Sequence, residues 1–153
     1  MDYLKIFFLS MVPVVELRGA VIYSQYLDLP IVQSYRICVL GNMLPVPFIY
    51  LFARKLLNVG ATKPVVGGLC RFLLEKGERT GSKLRDRAGR VGLFFALMLF
   101  VGIPIPGTGA WTGTLAASIL DGGFRNTTLS VMLGVLLAGV IMMTAGVLGF
   151  SLL

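Results

Sequence analysis

Histidine is absent from the 153 residues, cysteine occurs twice, as Cys38 and Cys70, and acidic side chains number only seven. Each shortage removes a class of chemistry. Without histidine there is no Ser-His-Asp triad and no imidazole ligand for zinc, and two isolated cysteines make neither a disulfide framework nor a metal cluster. No acid pair stands at one chain break and no nucleophile beside a base, so no enzyme is expected and no cofactor or metal is implied. Charge is scarce as well. Only 14% of the residues are charged, against about a quarter in soluble domains, while 56% are apolar and the mean hydropathy is +0.86. That balance excludes an ordinary soluble domain and predicts an all-α integral membrane protein, multi-pass, in the cell membrane.

What charge there is sits in one place. Residues 54–90 hold ten of the fourteen basic side chains and three of the acids, and so carry the whole net charge of +7. Lys and Arg beside membrane-embedded segments stay on the cytoplasmic side, so this stretch reads as one cytoplasmic linker and not as a nucleic-acid site. Within it Val65, Leu69, Phe72 and Leu73 recur at helical spacing after Thr62 and Pro64. The spacing predicts a basic amphipathic helix on anionic headgroups, followed from Lys76 to Arg90 by a looser connector.

Four apolar blocks flank the linker, and their texture differs. Residues 31–53 and 125–153 have the length of single crossings, about 20 residues for a 30 Å hydrocarbon core. Residues 1–30 and 91–123 are each interrupted, by Pro13-Val-Val-Glu16-Leu-Arg18-Gly19-Ala20 and by Pro104-Ile-Pro106-Gly107-Thr108-Gly109-Ala110-Trp111. Proline removes a helix donor and glycine tolerates non-helical dihedrals, so both interruptions predict unwound chain at membrane depth. Arms this short cross poorly, and each broken block is read as a re-entrant helical hairpin. With the linker inside, the two hairpins enter from opposite faces. The expected fold is thus an inverted repeat of hairpin plus transmembrane helix, its two tips meeting near the midplane. Four full spans are the competing topology; they place Leu153 inside, whereas hairpins place it outside. Residues 1–15 are apolar enough for a signal peptide, but Glu16 and Arg18 occupy the cleavage region, and the segment is assigned to the mature fold.

Ionisable groups at membrane depth cost about 3 kcal/mol or more, which makes Glu16 and Arg18 the leading candidates for substrate and proton binding. Glu16 suits a proton or cation carrier and Arg18 an anion contact; the structural alternative is an internal ion pair. At the second tip Gly107 and Gly109 leave backbone N–H groups accessible, Thr108 and Thr112 add hydroxyls, and a helix restarting near Ala110 offers its N-terminus to an anionic headgroup. Trp111 could stack on a cationic or amphipathic ligand. Pro13, Gly19, Pro104 and Pro106 are assigned to tip shape. Asn42 marks a kinked crossing near Pro45 and Pro47, its amide expected to meet a tip, while Gln25, Asp28 and Arg36 read as solvated edges. Gly134 with Ala138, and Ala145 with Gly149, permit close helix approach within the chain or in a homo-oligomer.

These motifs, Pro13-x-x-Glu16-Leu17-Arg18-Gly19-Ala20 early and Gly102-Ile-Pro-Ile-Pro-Gly107-Thr-Gly-Ala-Trp111-Thr-Gly113 late around a basic linker, resemble the small multi-drug export protein family over essentially the whole chain. More distantly the layout is similar to the DedA superfamily, which implies two oppositely inserted hairpins and movement of lipids or polyprenyl phosphate. DedA proteins carry an arginine shortly after the late Pro-Gly, where this chain has Gly109, so a phosphate-binding arginine pair does not carry over. The expected function is export of small amphipathic molecules coupled to protons, with membrane lipids as partners. Lipid flipping or scrambling, and a structural membrane scaffold, are the alternatives.

Overall fold

The computed structural model describes residues 1–64, 67–105 and 107–151, without the side chains of residues 73, 77, 81, 84, 85, 150 and 151. The described residues form helices and connecting turns, with no strand among them. Seven helices follow in order: α1 (Asp2–Met11), α2 (Glu16–Tyr26), α3 (Ile31–Met43), α4 (Pro45–Gly60), α5 (Gly67–Gly102), α6 (Ala110–Ile119) and α7 (Phe124–Ser151). Among the described residues, two runs are long and apolar enough to cross a bilayer, Ile31–Gly60, made of α3 and α4, and Phe124–Gly149 within α7. Large apolar side chains on α4 face outward, Phe48 with 68% of its surface exposed and Leu51, Phe52 and Leu56 beside it. A continuous apolar surface of this kind is a lipid-facing one.

Both predicted interruptions are real. Helix α1 ends at Met11, and the chain turns through residues 12–15 before α2 begins. It reverses there: Lys5, early in α1, lies within electrostatic reach of Tyr23, late in α2. Helix α3 then runs parallel to α1, since the Tyr3 hydroxyl donates to Gln33 Oε1 at 2.8 Å and, further along, Gly41 lies against Phe7 and Ser10. The second half repeats these directions. Gly113 of α6 faces Leu97 and Val101 of α5, so the chain reverses through 103–109, and α7 runs parallel to the end of α5, with Gly134 against Met98 and Leu137 against Gly102. The core lies where these pieces converge, built from Ile6, Leu17, Ala20, Val21, Cys38, Val46, Val101, Ala110, Val131 and Val135.

Two boundaries differ from the sequence expectations. The first crossing helix extends to Gly60 instead of ending at residue 53. The stretch from Lys76 to Arg90 is helical instead of a loose connector, and α5 is broken only at Gly89, whose φ of +65° and ψ of 179° leave the helical region. Glycine adopts such a φ without steric cost, so the kink falls there despite the other glycines of the linker. Of the predicted amphipathic face, Leu69 and Phe72 are exposed, with Lys76 over the Phe72 ring at 5.1 Å, while Val65 and the Leu73 side chain lie outside the described residues. The crossing helix bends at Leu44, between α3 and α4, because Pro45 and Pro47 cannot donate to the preceding turn.

The small residues of α7 divide into two roles. A Cβ on Gly134 would stand 2.7 Å from Met98 O and 2.7 Å from Val101 Cβ, and Ala138 is buried, so this pair packs inside the chain. Ala145 is exposed and Gly149 faces open space. Gly134→Val is therefore expected to lower thermal stability in detergent by about 1–3 kcal/mol through overpacking of α5 on α7, whereas Gly149→Ala leaves the melting temperature unchanged.

Candidate functional site

The two chain breaks meet, and each supplies what the other lacks. A helix that stops leaves its last carbonyls and first amides without intrahelical partners, and other groups must satisfy them. At the second break α5 ends at Gly102, Pro104 brings no N–H, and the chain turns through an Ile105 N–H to Ile103 O bond of 2.8 Å. The Arg18 guanidinium, entering from the first break, donates to Val101 O at 3.0 Å, Ile103 O at 3.0 Å, Ile105 O at 2.5 Å and Thr108 O, with Thr108 Oγ1 at 3.3 Å. Its planar fork of donors is suited to holding several carbonyls at once. Thr108 reinforces the turn, its hydroxyl lying 2.9 Å from Ile103 O and 2.8 Å from Ile105 O.

Glu16 serves the opposite end of the same break. Its Oε1 accepts the Trp111 N–H at 3.2 Å, and the Ala110 amide lies beside it, so the carboxylate sits on the N-terminus of α6, where partial positive charge favours an anion. The remaining amide at this end is held locally, Gly109 N–H donating to Thr112 Oγ1 at 2.9 Å. Glu16 reaches this position with only 7% of its surface exposed, and with a φ of +50°, a left-handed conformation costly for a residue with a side chain. In return, Trp111 Nε1 donates to Met11 O at 3.1 Å, at the end of α1. Glu16 and Arg18 thus cap the second break, and Trp111 caps the first.

This arrangement revises several expectations. Glu16 and Arg18 form no direct ion pair within 4 Å; each binds backbone of the facing break. The α6 amides offered to an anionic headgroup are occupied by the protein's own carboxylate and by Thr112. The Trp111 indole N–H is committed to Met11, and the ring is half-buried. Gly109 is forced by close approach, since a Cβ there would overlap the Glu16 carboxylate. Gly107 carries a φ of +86° and faces open space, and Gly19 packs its α2 face against Val15. Pro13 lies in the exposed first turn and Pro104 in the second, while Pro106 lies outside the described residues. Asn42 does reach the tips, but its Oδ1 accepts no hydrogen bond there. It lines a cavity of about 10 Å³ with Glu16, Arg18, Val101 and Ala110, room on the scale of one water and not of a drug-sized molecule.

Two contacts escaped sequence reasoning. Gln25, read as a solvated edge, donates from Nε2 to Met143 O of α7 at 3.2 Å and packs against Gly146. Arg54 pairs with Asp121 at the end of α6 and stands 3.6 Å from Glu78 of α5, tying the linker end of the crossing helix to the second half. No local signal marks either, because Gln25 and Met143, and Arg54 and Asp121, lie more than sixty residues apart. Arg54→Ala is expected to lower stability by no more than about 1 kcal/mol, since the pair is partly exposed, and a thermal melt in detergent checks this.

No curated protein and no solved structure matches this chain. Residues 16–141 match the family described as "Putative small multi-drug export protein", a span that runs from Glu16, just after the first break, through the linker and the second break to most of α7, and the chain belongs to that family of membrane proteins.

Proposed function

We propose that the chain exports small amphipathic molecules across the cell membrane in exchange for protons, with Glu16 as the proton-carrying group and the contact between the two breaks as the gate. The observation that carries this is the position of Glu16: a buried carboxylate, in a strained backbone, bound to the start of α6. Ionised, it is stabilised by the α6 amides and keeps the tips together. Protonated, it loses the charge that the helix terminus favours, the Trp111 contact weakens, and the breaks can part. The membership in an export family supports the direction of the chemistry.

Supporting the underlying topology, α1, α2 and α6 are ten or eleven residues long, about half the length a crossing needs, and the chain reverses at both breaks. In this reading they are re-entrant hairpins inserted from opposite faces, each followed by a crossing helix, in an inverted repeat. A reporter fused after Leu153 is then found on the side opposite the linker; finding both on one side removes the hairpins and the gate with them.

The decisive variant is Glu16→Gln, which keeps the shape and an acceptor oxygen while removing the titratable charge. In reconstituted vesicles with an imposed proton gradient, efflux of a fluorescent amphipathic cation by the variant is expected to lose its pH dependence while the protein stays folded. Undiminished, still pH-dependent flux takes Glu16 out of this role. One observation favours a second reading, a purely structural scaffold: Glu16 and Arg18 both find their partners within the chain's own backbone. The scaffold predicts no proton-driven flux from the wild-type protein in the same assay.

A further inference from the structure

A mainly apolar cavity lies away from the tips, at about 490 Å³, within the range of about 300–1,000 Å³ typical of ligand sites. It opens between the second half of α5, α6 and the start of α7, with Leu93, Phe100 and Ala116 among its walls and Arg90 and Asp121 at its linker end. The two charged groups that line it are not alike. Asp121 is neutralised by Arg54, whereas Arg90, immediately after the Gly89 kink, is exposed and has no ion-pair partner among the described residues. Of the two charges lining the mouth, the one without an ion-pair partner among the described residues is therefore the Arg90 cation. One turn into α7, Thr127 lines the same cavity with 1% of its surface exposed, and its hydroxyl has no hydrogen-bond partner. A buried hydroxyl without a partner costs about 1–3 kcal/mol unless something in the cavity meets it.

We propose that this cavity binds one anionic phospholipid, with an acyl chain between α5, α6 and α7, an ester carbonyl accepting from Thr127, and the phosphate on Arg90. The apolar walls suit the chain and exclude a free anion. The order from linker to interior, a cation and then a hydroxyl above apolar walls, is the order of phosphate, ester and tail in a leaflet. The neutralised Asp121 disfavours a cationic amphiphile. The proposal rests on the membrane assignment and not on proton-coupled export, so it stands or falls separately from Glu16.

The full chain, reconstituted in nanodiscs of phosphatidylcholine with a minor fraction of phosphatidylglycerol, is released and weighed by native mass spectrometry. One retained phosphatidylglycerol is expected, enriched about fivefold over its share of the bilayer, as one basic residue near anionic lipid provides. Arg90→Gln returns the retained lipid to the bilayer ratio, Thr127→Val shortens retention of the same lipid, and Ala116→Phe abolishes retention of either headgroup. Arg36→Gln, on α3, keeps the enrichment. Enrichment persisting in Arg90→Gln, or lipid still retained in a folded Ala116→Phe, overturns the proposal. Should Ala116→Phe fail to fold, Arg90→Gln, an exposed change, decides alone.

Discussion

Replacing Arg18 by alanine is expected to cost about 3–5 kcal/mol of stability, enough to remove most folded protein from a detergent extract. The guanidinium reaches the carbonyls of Val101, Ile103, Ile105 and Thr108, and Val101 O finds no second donor in its own turn because the helix ends one residue later and Pro104 follows. Truncation leaves Val101 O and Thr108 O without the guanidinium, at about 1–3 kcal/mol for each acceptor left unsatisfied in apolar surroundings, while Ile103 O and Ile105 O keep the Thr108 hydroxyl and the turn's own amides. Lysine restores the charge but not the reach: its ammonium is a point with three donors, and the carbonyls lie around the rim of a turn. Arg18→Lys is thus expected to recover only part of the loss. Fluorescence-detected size exclusion across a temperature series measures both variants against wild type. A wild-type melting curve for Arg18→Ala would mean that the two breaks do not depend on each other.

Gly109→Ala is the second large effect, and it comes from a single methyl group. That Cβ would occupy the space of the Glu16 carboxylate, which cannot swing aside without abandoning the Trp111 N–H. Displacing it exposes the start of α6 and buries an unpaired charge, and about 2–4 kcal/mol of destabilisation is expected. The double variant Glu16→Ala/Gly109→Ala provides the internal control. With the carboxylate gone the methyl group has room, so the two changes together are expected to cost less than the sum of each alone. Strict additivity in the same thermal assay would show that positions 16 and 109 do not touch.

The closed contact and the lipid-sized cavity occupy different levels of the molecule. Around Glu16 only about 10 Å³ is open, so the tips as described form a seal, and any substrate path there requires the capping bonds to break. On the linker side the chain is roomier, and its polar groups are less completely satisfied.

Much of this was legible locally. Hydropathy and the clustering of basic residues in 54–90 mark a membrane chain, since each apolar run must leave water whatever it packs against. Both breaks were readable too, because proline's missing N–H acts within one turn of its own position, and α6 starts at Ala110 as the sequence predicts. The prominence of Glu16 and Arg18 followed from the cost of placing charge in a long apolar run.

What they do was decided only by tertiary structure. As neighbours on one helix turn they admit an ion pair as the structural alternative, yet Arg18 goes to the end of α5 and Glu16 to the start of α6, partners more than eighty residues away. The left-handed backbone at Glu16, the burial of Gln25 against α7 and the pairing of Arg54 with Asp121 likewise leave no mark in local spacing. The physical reason is that composition states which groups need partners inside a bilayer, while only the folded path of the chain determines which unsatisfied carbonyl or amide comes within hydrogen-bonding distance to meet that need.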